Sequence, residues 1–150
     1  MNYCHTISFT VKDRPPKKST GSCWGNKESK YVIKLREKAL EARTESGLNS
    51  HLKGPVKLEL TVYAENIQNR KDTSDYVGDL DTLIAGVLES LQAAPNNDKT
   101  IKINTFLKEN KAIGYKIPLI LEDDAQVVTI LAKKIKSKTP YYIVSISSEE

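Results

Sequence analysis

Two stretches of the chain alternate between apolar and polar residues, the pattern of a β-strand with one buried face. The more regular is 56–63, where every second residue is Val or Leu, and the other is 3–11. Two later stretches, Ala125–Ile135 and Tyr141–Ile146, are rich in β-branched and aromatic residues and are joined by a turn through Lys136–Pro140. The sequence therefore predicts an opening strand, a central strand and a closing pair.

Two other stretches place apolar residues three or four apart, the spacing of an amphipathic helix. The first begins near Lys30, after Ser29 as a cap, and meets a stop signal at Gly47. The second follows Asp79, which suits an N-cap, and ends at Pro95. Its apolar stripe consists of Leu80, Leu83, Ile84, Val87, Leu88 and Leu91.

The remaining segments are polar and predict loops at 12–28 and 64–78. Thr100–Phe106 is a candidate for one more short strand. The resulting order, β-α-β-α-(β)-β-β, predicts a single α+β domain over residues 1–150. In it, two main helices pack on one face of a small mixed sheet.

The composition limits the classes of protein to which the chain can belong. It has 150 residues, a net charge of +4, and two cysteines, Cys4 and Cys23, without the spacing of a zinc site. No apolar run approaches the roughly 18 residues of a membrane span, and no apolar leader opens the chain. We therefore expect a cytoplasmic protein without a membrane partner.

The charge is distributed unevenly along the chain. Residues 1–53 hold 11 Lys and Arg against 5 Asp and Glu, residues 54–131 hold 8 against 12, and residues 132–150 hold 4 against 2. An acidic middle between basic flanks fits carboxylates gathered for a cation beside a surface that attracts an anion. Chance placement of charge explains the same distribution equally well.

Two acidic clusters are candidates for a metal site. One is Asp79-Leu80-Asp81 at the start of the second helix, and the other is Glu122-Asp123-Asp124 just before a strand. Hard divalent cations such as Mg²⁺ bind carboxylate oxygens together with water and phosphate oxygens. Taken alone, the first cluster is also typical of a helix N-terminus and the second of a solvated turn.

Both clusters lie in strings that resemble one family. GDLDTLIAGVLESL (78–91) and LEDDAQVVTILAKK (121–134), in that order, are similar to the motifs of the RusA family of Holliday-junction resolvases. The resemblance implies a RusA-like nuclease domain, a homodimer, and Mg²⁺-dependent cleavage of four-way DNA junctions in recombination and repair, with Mn²⁺ as a substitute ion. It implies that Asp79, Asp81 and Asp124 are catalytic and, with Asp123, bind the metal. Their carboxylates are expected to converge on one ion.

The chain departs from the family pattern at two positions. Ala85 stands where the family has a Lys four residues after the second Asp, and Thr82 replaces an Asn. Loss of a cation near the reacting phosphate lowers the rate, unless Lys71, Lys133 or Lys134 supplies the charge from another element. The alternatives are a catalytically inactive protein that binds branched DNA, or an interaction module whose acidic clusters are surface.

Basic residues in the first loop predict a nucleic-acid surface, because binding to DNA depends on neutralising phosphates. Its members are Lys12, Arg14, Lys17, Lys18 and Lys27, with Trp24 available to stack on an unpaired base. Lys71, Lys133 and Lys134 extend the predicted DNA contacts. A solvated loop with a partly buried Trp, and lysines that protect a sheet edge from aggregation, are the alternatives.

Overall fold

The helices and the four main strands form at bounds close to those predicted. The computed structural model describes residues 5–18, 23–24, 27–72, 74–94 and 117–149. In chain order the elements are β1 (Thr6–Val11), α1 (Ser29–Glu45), β2 (Val56–Ala64), α2 (Leu80–Ser90), a 3-10 turn (Asp124–Gln126), β3 (Val127–Lys136) and β4 (Tyr141–Ser148). The predicted strand Thr100–Phe106 lies outside the described residues.

The strands of the described residues form one mixed sheet of four, in the order β1-β4-β2-β3. β4 pairs antiparallel with β1 and β2, whereas β2 and β3 run parallel. A parallel pair needs a crossover connection, and α2 lies in the connection between β2 and β3. The helix therefore begins near the end of the sheet where β2 and β3 both finish. Among the described strands, β1 and β3 are the outer ones.

One hydrophobic core joins the sheet to both helices, so the predicted α+β arrangement is confirmed. Alternate strand residues meet the apolar stripes of the helices; Ile7, Phe9, Leu35, Ala39, Leu58, Leu60, Leu83, Val87, Tyr142, Val144 and Ile146 are all buried members. Gly47, the predicted stop of α1, has a φ of 81°, a left-handed conformation that favours glycine. None of the described helices is long and apolar enough to cross a membrane.

Arg36, on α1, is a fully buried charged residue that binds the chain beyond α2. One guanidinium nitrogen donates to the carbonyl oxygens of Ser90 and Gln92 at 2.7 and 2.8 Å, and the other donates to that of Ile117 at 3.2 Å. Burial, and then repulsion from Arg43, lower the pKa of Arg36 to about 10. These bonds hold α2 and the approach to β3 against α1.

Candidate metal and nucleic-acid site

Asp79 lies at the N-cap position of α2, as predicted, but its side chain does not cap the helix. The Tyr76 hydroxyl donates to Oδ1 at 2.6 Å, and Arg70 Nε donates to the same oxygen at 3.0 Å. Arg70 Nη2 binds Oδ2, so the ion pair is bidentate. The hydrogen bond from Tyr76, followed by that from Arg70, lowers the pKa of Asp79, which keeps the carboxylate charged at neutral pH.

The residues after Asp79 build the first turn of α2. Asp81 is exposed in that turn. Thr82, at the position of the family's Asn, donates its hydroxyl to the carbonyl oxygen of Asp79 at 2.8 Å. Ala85, at the position of the family's Lys, is half-buried and carries no charge. The start of α2 therefore presents two carboxylates, and the missing cation is not replaced from within the helix.

Lys134, from β3, brings a positive charge to this helix start. Its Nζ donates to the carbonyl oxygen of Gly78 at 3.0 Å and to the Tyr76 hydroxyl at 3.2 Å, and it lies 5.1 Å from the centre of the Tyr76 ring. Its charge also contributes to the lowered pKa of Asp79. Lys133 points to the opposite face of the sheet, because successive strand residues alternate. Of the lysines predicted to replace the missing cation, the structure brings Lys134 to Asp79.

The second acidic cluster is ordered by the side chain of Gln126. Its Oε1 accepts from the backbone N–H groups of Glu122 and Asp123 at 2.8 and 3.2 Å, and its Nε2 donates to the carbonyl oxygens at 52 and 54, each at 3.0 Å. Asp123 accepts from the Ala125 N–H at 2.9 Å, a contact that lowers its pKa. Asp123 and Asp124 are both exposed.

The two acidic clusters do not converge within one chain, which corrects the expectation of a single three-carboxylate site. Asp124 precedes the first residue of β3, Val127, whereas Lys134, near the strand's end, contacts Gly78. A strand rises about 3.3 Å per residue, so Val127 and Lys134 are roughly 23 Å apart. Across the described parts of the chain, no group of three His, Cys, Asp or Glu residues is arranged to hold a metal. Carboxylate oxygens have the chemistry that Mg²⁺ prefers, and among the described residues the start of α2 supplies two of them, from Asp79 and Asp81.

The basic loop after β1 packs against the start of α2. Lys17 Nζ donates to the carbonyl oxygen of Tyr76 at 3.1 Å, and the Lys18 N–H donates to that of Thr82 at 3.1 Å. Lys18 Nζ lies 3.7 Å from Glu89. Lys17 therefore lies near Asp79 in space although the two are far apart along the chain, whereas the ammonium of Lys18 lies further along α2, at Glu89.

Other residues of the predicted DNA surface have different surroundings. Lys12, Lys27, Lys71 and Lys133 are exposed, as a phosphate-binding role requires. Arg14 is engaged within the fold: both guanidinium nitrogens bind Glu28, at 2.7 and 2.9 Å, and the group lies 3.7 Å from the centre of the Tyr31 ring.

The prediction that Trp24 stacks on an unpaired base is wrong. Its exposed fraction is 0%, and it lies in a second apolar cluster with Cys23, Val32, Ile33 and Ala94. The guanidinium of Arg36 lies 5.0 Å from the centre of its ring. A base cannot reach an indole that the protein covers on all sides, so Trp24 belongs to the core.

Sequence reasoning missed Arg70, Tyr76 and, as a positioning residue, Gln126. Gln126 lies in the string LEDDAQVVTILAKK that carries the family resemblance, so its place there was a signal. Arg70 and Tyr76 lie in a polar loop where the sequence pattern shows no feature that singles them out. Their importance comes from the contact with Asp79 in space. No protein-family model matches the chain, and no curated protein is significantly similar to it.

Proposed function

We propose that the chain is a Mg²⁺-dependent, structure-selective endodeoxyribonuclease that acts on four-way DNA junctions as a homodimer, in recombination and repair. The observation that carries the proposal is the position of the two acidic clusters at opposite ends of one outer strand, β3. The exposed edge of an outer strand can pair with a second copy. Antiparallel pairing reverses one of the two strands, so it brings the start of each β3 to the end of the other.

The surface of β3 supports such pairing. Val128, Ile130 and Leu131 are large apolar residues whose exposed fractions are 60%, 46% and 58%. A two-fold axis through Ile130 puts Gln126 of the partner subunit opposite Lys134, because antiparallel strands run in opposite directions. Asp124 of the partner subunit then lies at the end of the sheet that holds Asp79 and Asp81.

The dimer has two such composite sites, one at each end of the paired strands. Two-fold symmetry in the protein matches a substrate with two equivalent strands, so each site is assigned one strand of the junction. Asp79 and Asp81 from one copy, with Asp123 and Asp124 from the other, would hold the ion. Mg²⁺ or Mn²⁺ bound there would activate a water molecule and neutralise charge on the phosphate.

The charges around the helix start support binding of a phosphodiester. Lys17 and Lys134 both donate to carbonyl oxygens in the segment that leads into α2, and both lie close enough to Asp79 for their charges to interact with it. We assign Lys134 the positive charge that Ala85 lacks, because its Nζ is tethered beside Tyr76 and Asp79. Exposed Lys12, Lys27, Lys71 and Lys133 supply further contacts to the DNA backbone.

A second candidate function is junction binding without cleavage. Ala85 at the position of the expected Lys favours it, and so does the ion pair that covers Asp79. Both candidates require salt-sensitive binding to a junction. Only the nuclease requires Mg²⁺-dependent nicking that Asp81→Asn abolishes while binding survives.

Mixing two inactive variants tests the nuclease and its composite site together. Asp81→Asn and Asp124→Asn chains are each expected to bind a synthetic four-way junction without cutting it. In a mixed dimer the two substitutions fall in the same composite site, so the second site is intact. The mixture is therefore expected to nick one strand, in proportion to the mixed dimers formed by refolding the chains together.

The outcomes separate the candidates. Absence of rescue, with active wild-type protein, would show that each site is built within one chain and would overturn the composite arrangement. Binding of the junction by the wild type without cleavage in Mg²⁺ or Mn²⁺ would favour the second candidate. Absence of both binding and cleavage would leave a protein-interaction module.

A further inference from the structure

Arg70 covers the carboxylate that the proposed site needs. The residue lies in the loop between β2 and α2, and its guanidinium contacts both oxygens of Asp79. The exposed fraction of the Arg70 side chain is 72%, against 34% for that of Asp79. The guanidinium therefore lies over the carboxylate on its solvent side, where an incoming ion or DNA strand arrives.

Arg70 competes with a divalent cation for the oxygens of Asp79. The Tyr76 hydroxyl and Arg70 Nε already share Oδ1, and Arg70 Nη2 takes Oδ2. A cation coordinates carboxylate oxygen directly, at a distance of about 2 Å, and would bring a second positive charge next to the guanidinium. Both oxygens are therefore fully available to a metal only when the guanidinium has moved away.

A DNA phosphate is a suitable new partner for the displaced guanidinium. The planar fork of Arg binds a phosphate with the same two-pronged geometry that it uses with a carboxylate. The guanidinium is exposed, so it can turn from Asp79 to a bound strand without unpacking the core. An exposed ion pair stabilises a fold only slightly, so retention of structure does not depend on this contact.

We propose that Arg70 is a positioning residue that exchanges Asp79 for a phosphodiester group of the DNA, so that binding of the junction prepares the carboxylate for the metal. The inference rests on the proposed function. Because coupling between two ligands is reciprocal, a metal on Asp79 likewise releases Arg70 for DNA. The metal site then forms mainly when DNA is bound, and the protein without DNA binds the metal more weakly.

Arg70→Met, with Lys71→Met as the matched control, tests the exchange in the full chain. Lys71 is the neighbouring exposed cation in the same loop, so its loss removes the same charge. The Mn²⁺ affinity of the free protein is measured by electron paramagnetic resonance of the unbound ion. Binding of a synthetic four-way junction is measured in EDTA as a function of salt.

The two affinities are expected to change in opposite directions in Arg70→Met. Mn²⁺ binding tightens by roughly two- to five-fold, the range expected on removing an exposed competing ion pair. Junction binding weakens, and the slope of log affinity against log salt falls by about one. Lys71→Met changes the Mn²⁺ affinity by less than Arg70→Met. If Arg70 only supported the fold, its removal would not strengthen metal binding while weakening DNA binding.

These measurements distinguish failure of the Arg70 exchange from failure of the proposed metal-dependent function. If Mn²⁺ binds the wild type and Asp81→Asn abolishes that binding, the metal site stands. Equal or weaker Mn²⁺ binding by Arg70→Met than by Lys71→Met then overturns the exchange alone. If neither the wild type nor Arg70→Met binds Mn²⁺, the metal-dependent function is overturned and the exchange falls with it.

Discussion

Gly86→Ala tests whether the basic loop packs on α2, which is the contact that places Lys17 near Asp79 and Lys18 near Glu89. A Cβ at position 86 would lie 2.0 Å from the carbonyl oxygen of Pro16 and 2.6 Å from its carbonyl carbon. Both atoms are backbone, so no side-chain rotation relieves the overlap. The loop has to move away from the helix before the alanine fits.

The expected change in the free energy of unfolding combines one stabilising and two destabilising contributions. Alanine in place of glycine inside a helix stabilises by about 1 kcal/mol. Overpacking against the loop costs about 1–3 kcal/mol, and loss of the hydrogen bond from the Lys18 N–H to Thr82 costs about 1 kcal/mol more. We therefore expect a net loss of about 1–3 kcal/mol. For a chain of this length that lowers the melting temperature by about 3–10 °C.

Thermal and urea unfolding of Gly86→Ala and Ala85→Gly show whether each substitution raises or lowers the free energy of unfolding. If helix propensity alone governs both neighbouring positions, the first substitution stabilises the protein and the second destabilises it by a similar amount. If the loop packs on Gly86, both destabilise it. A Gly86→Ala protein as stable as the wild type, or more stable, would refute the packing of Pro16 on α2 and with it the placement of Lys17 and Lys18.

Two further substitutions test charged residues within the fold. Arg36→Met leaves three carbonyl groups without their buried donor, so we expect a loss of about 3 kcal/mol in the free energy of unfolding; a loss below about 1 kcal/mol in urea denaturation would contradict this role. Burial raises the pKa of Glu28, but hydrogen bonds from Arg14 and the Lys17 N–H outweigh it, and the net pKa is lowered. The wild type is therefore expected to be more stable than Glu28→Gln at neutral pH, and the difference should shrink as the pH falls below about 4.3, the ordinary value for Glu. A difference in unfolding free energy that grows toward acid pH would show that folding raises the pKa of Glu28 and would contradict the prediction.

The elements that could be predicted are those whose periodicity is repeated several times. β2 alternates through its whole length, and the stripe of α2 runs through three turns, so both follow from burial of one face. Gly47 marks a helix boundary because its left-handed conformation favours glycine, and Asp79 marks one because Asp is preferred at the N-cap position. What Asp79 binds could not be predicted, since Asp is preferred at an N-cap as an acceptor for backbone N–H groups, whereas here its oxygens accept from Arg70 and Tyr76 of the preceding loop.

The separation of the two acidic clusters follows from strand direction, which the motifs do not contain. Once β2 and β3 run parallel with α2 between them, the helix start and the start of β3 must lie at opposite ends of the sheet. Trp24 was misplaced for a related reason: its loop is polar in composition, yet α1 supplies Val32 and Ile33 to cover it. In both cases the deciding contact joins segments distant in sequence.

Under the proposed function, Lys134 supplies from the adjoining strand the positive charge that Ala85 lacks. A lysine on the helix at position 85 would reach the reacting group along the axis of α2, whereas Lys134 reaches the same helix start from the adjoining strand. Its neighbour Lys133 cannot do so, because the pleat directs it to the other face. If Lys134 fills this role, Lys134→Met should abolish cleavage and Lys133→Met should only weaken DNA binding. Retention of cleavage by Lys134→Met, with a lysine introduced at Ala85 giving no gain in rate, would remove the charge at this helix start from the mechanism.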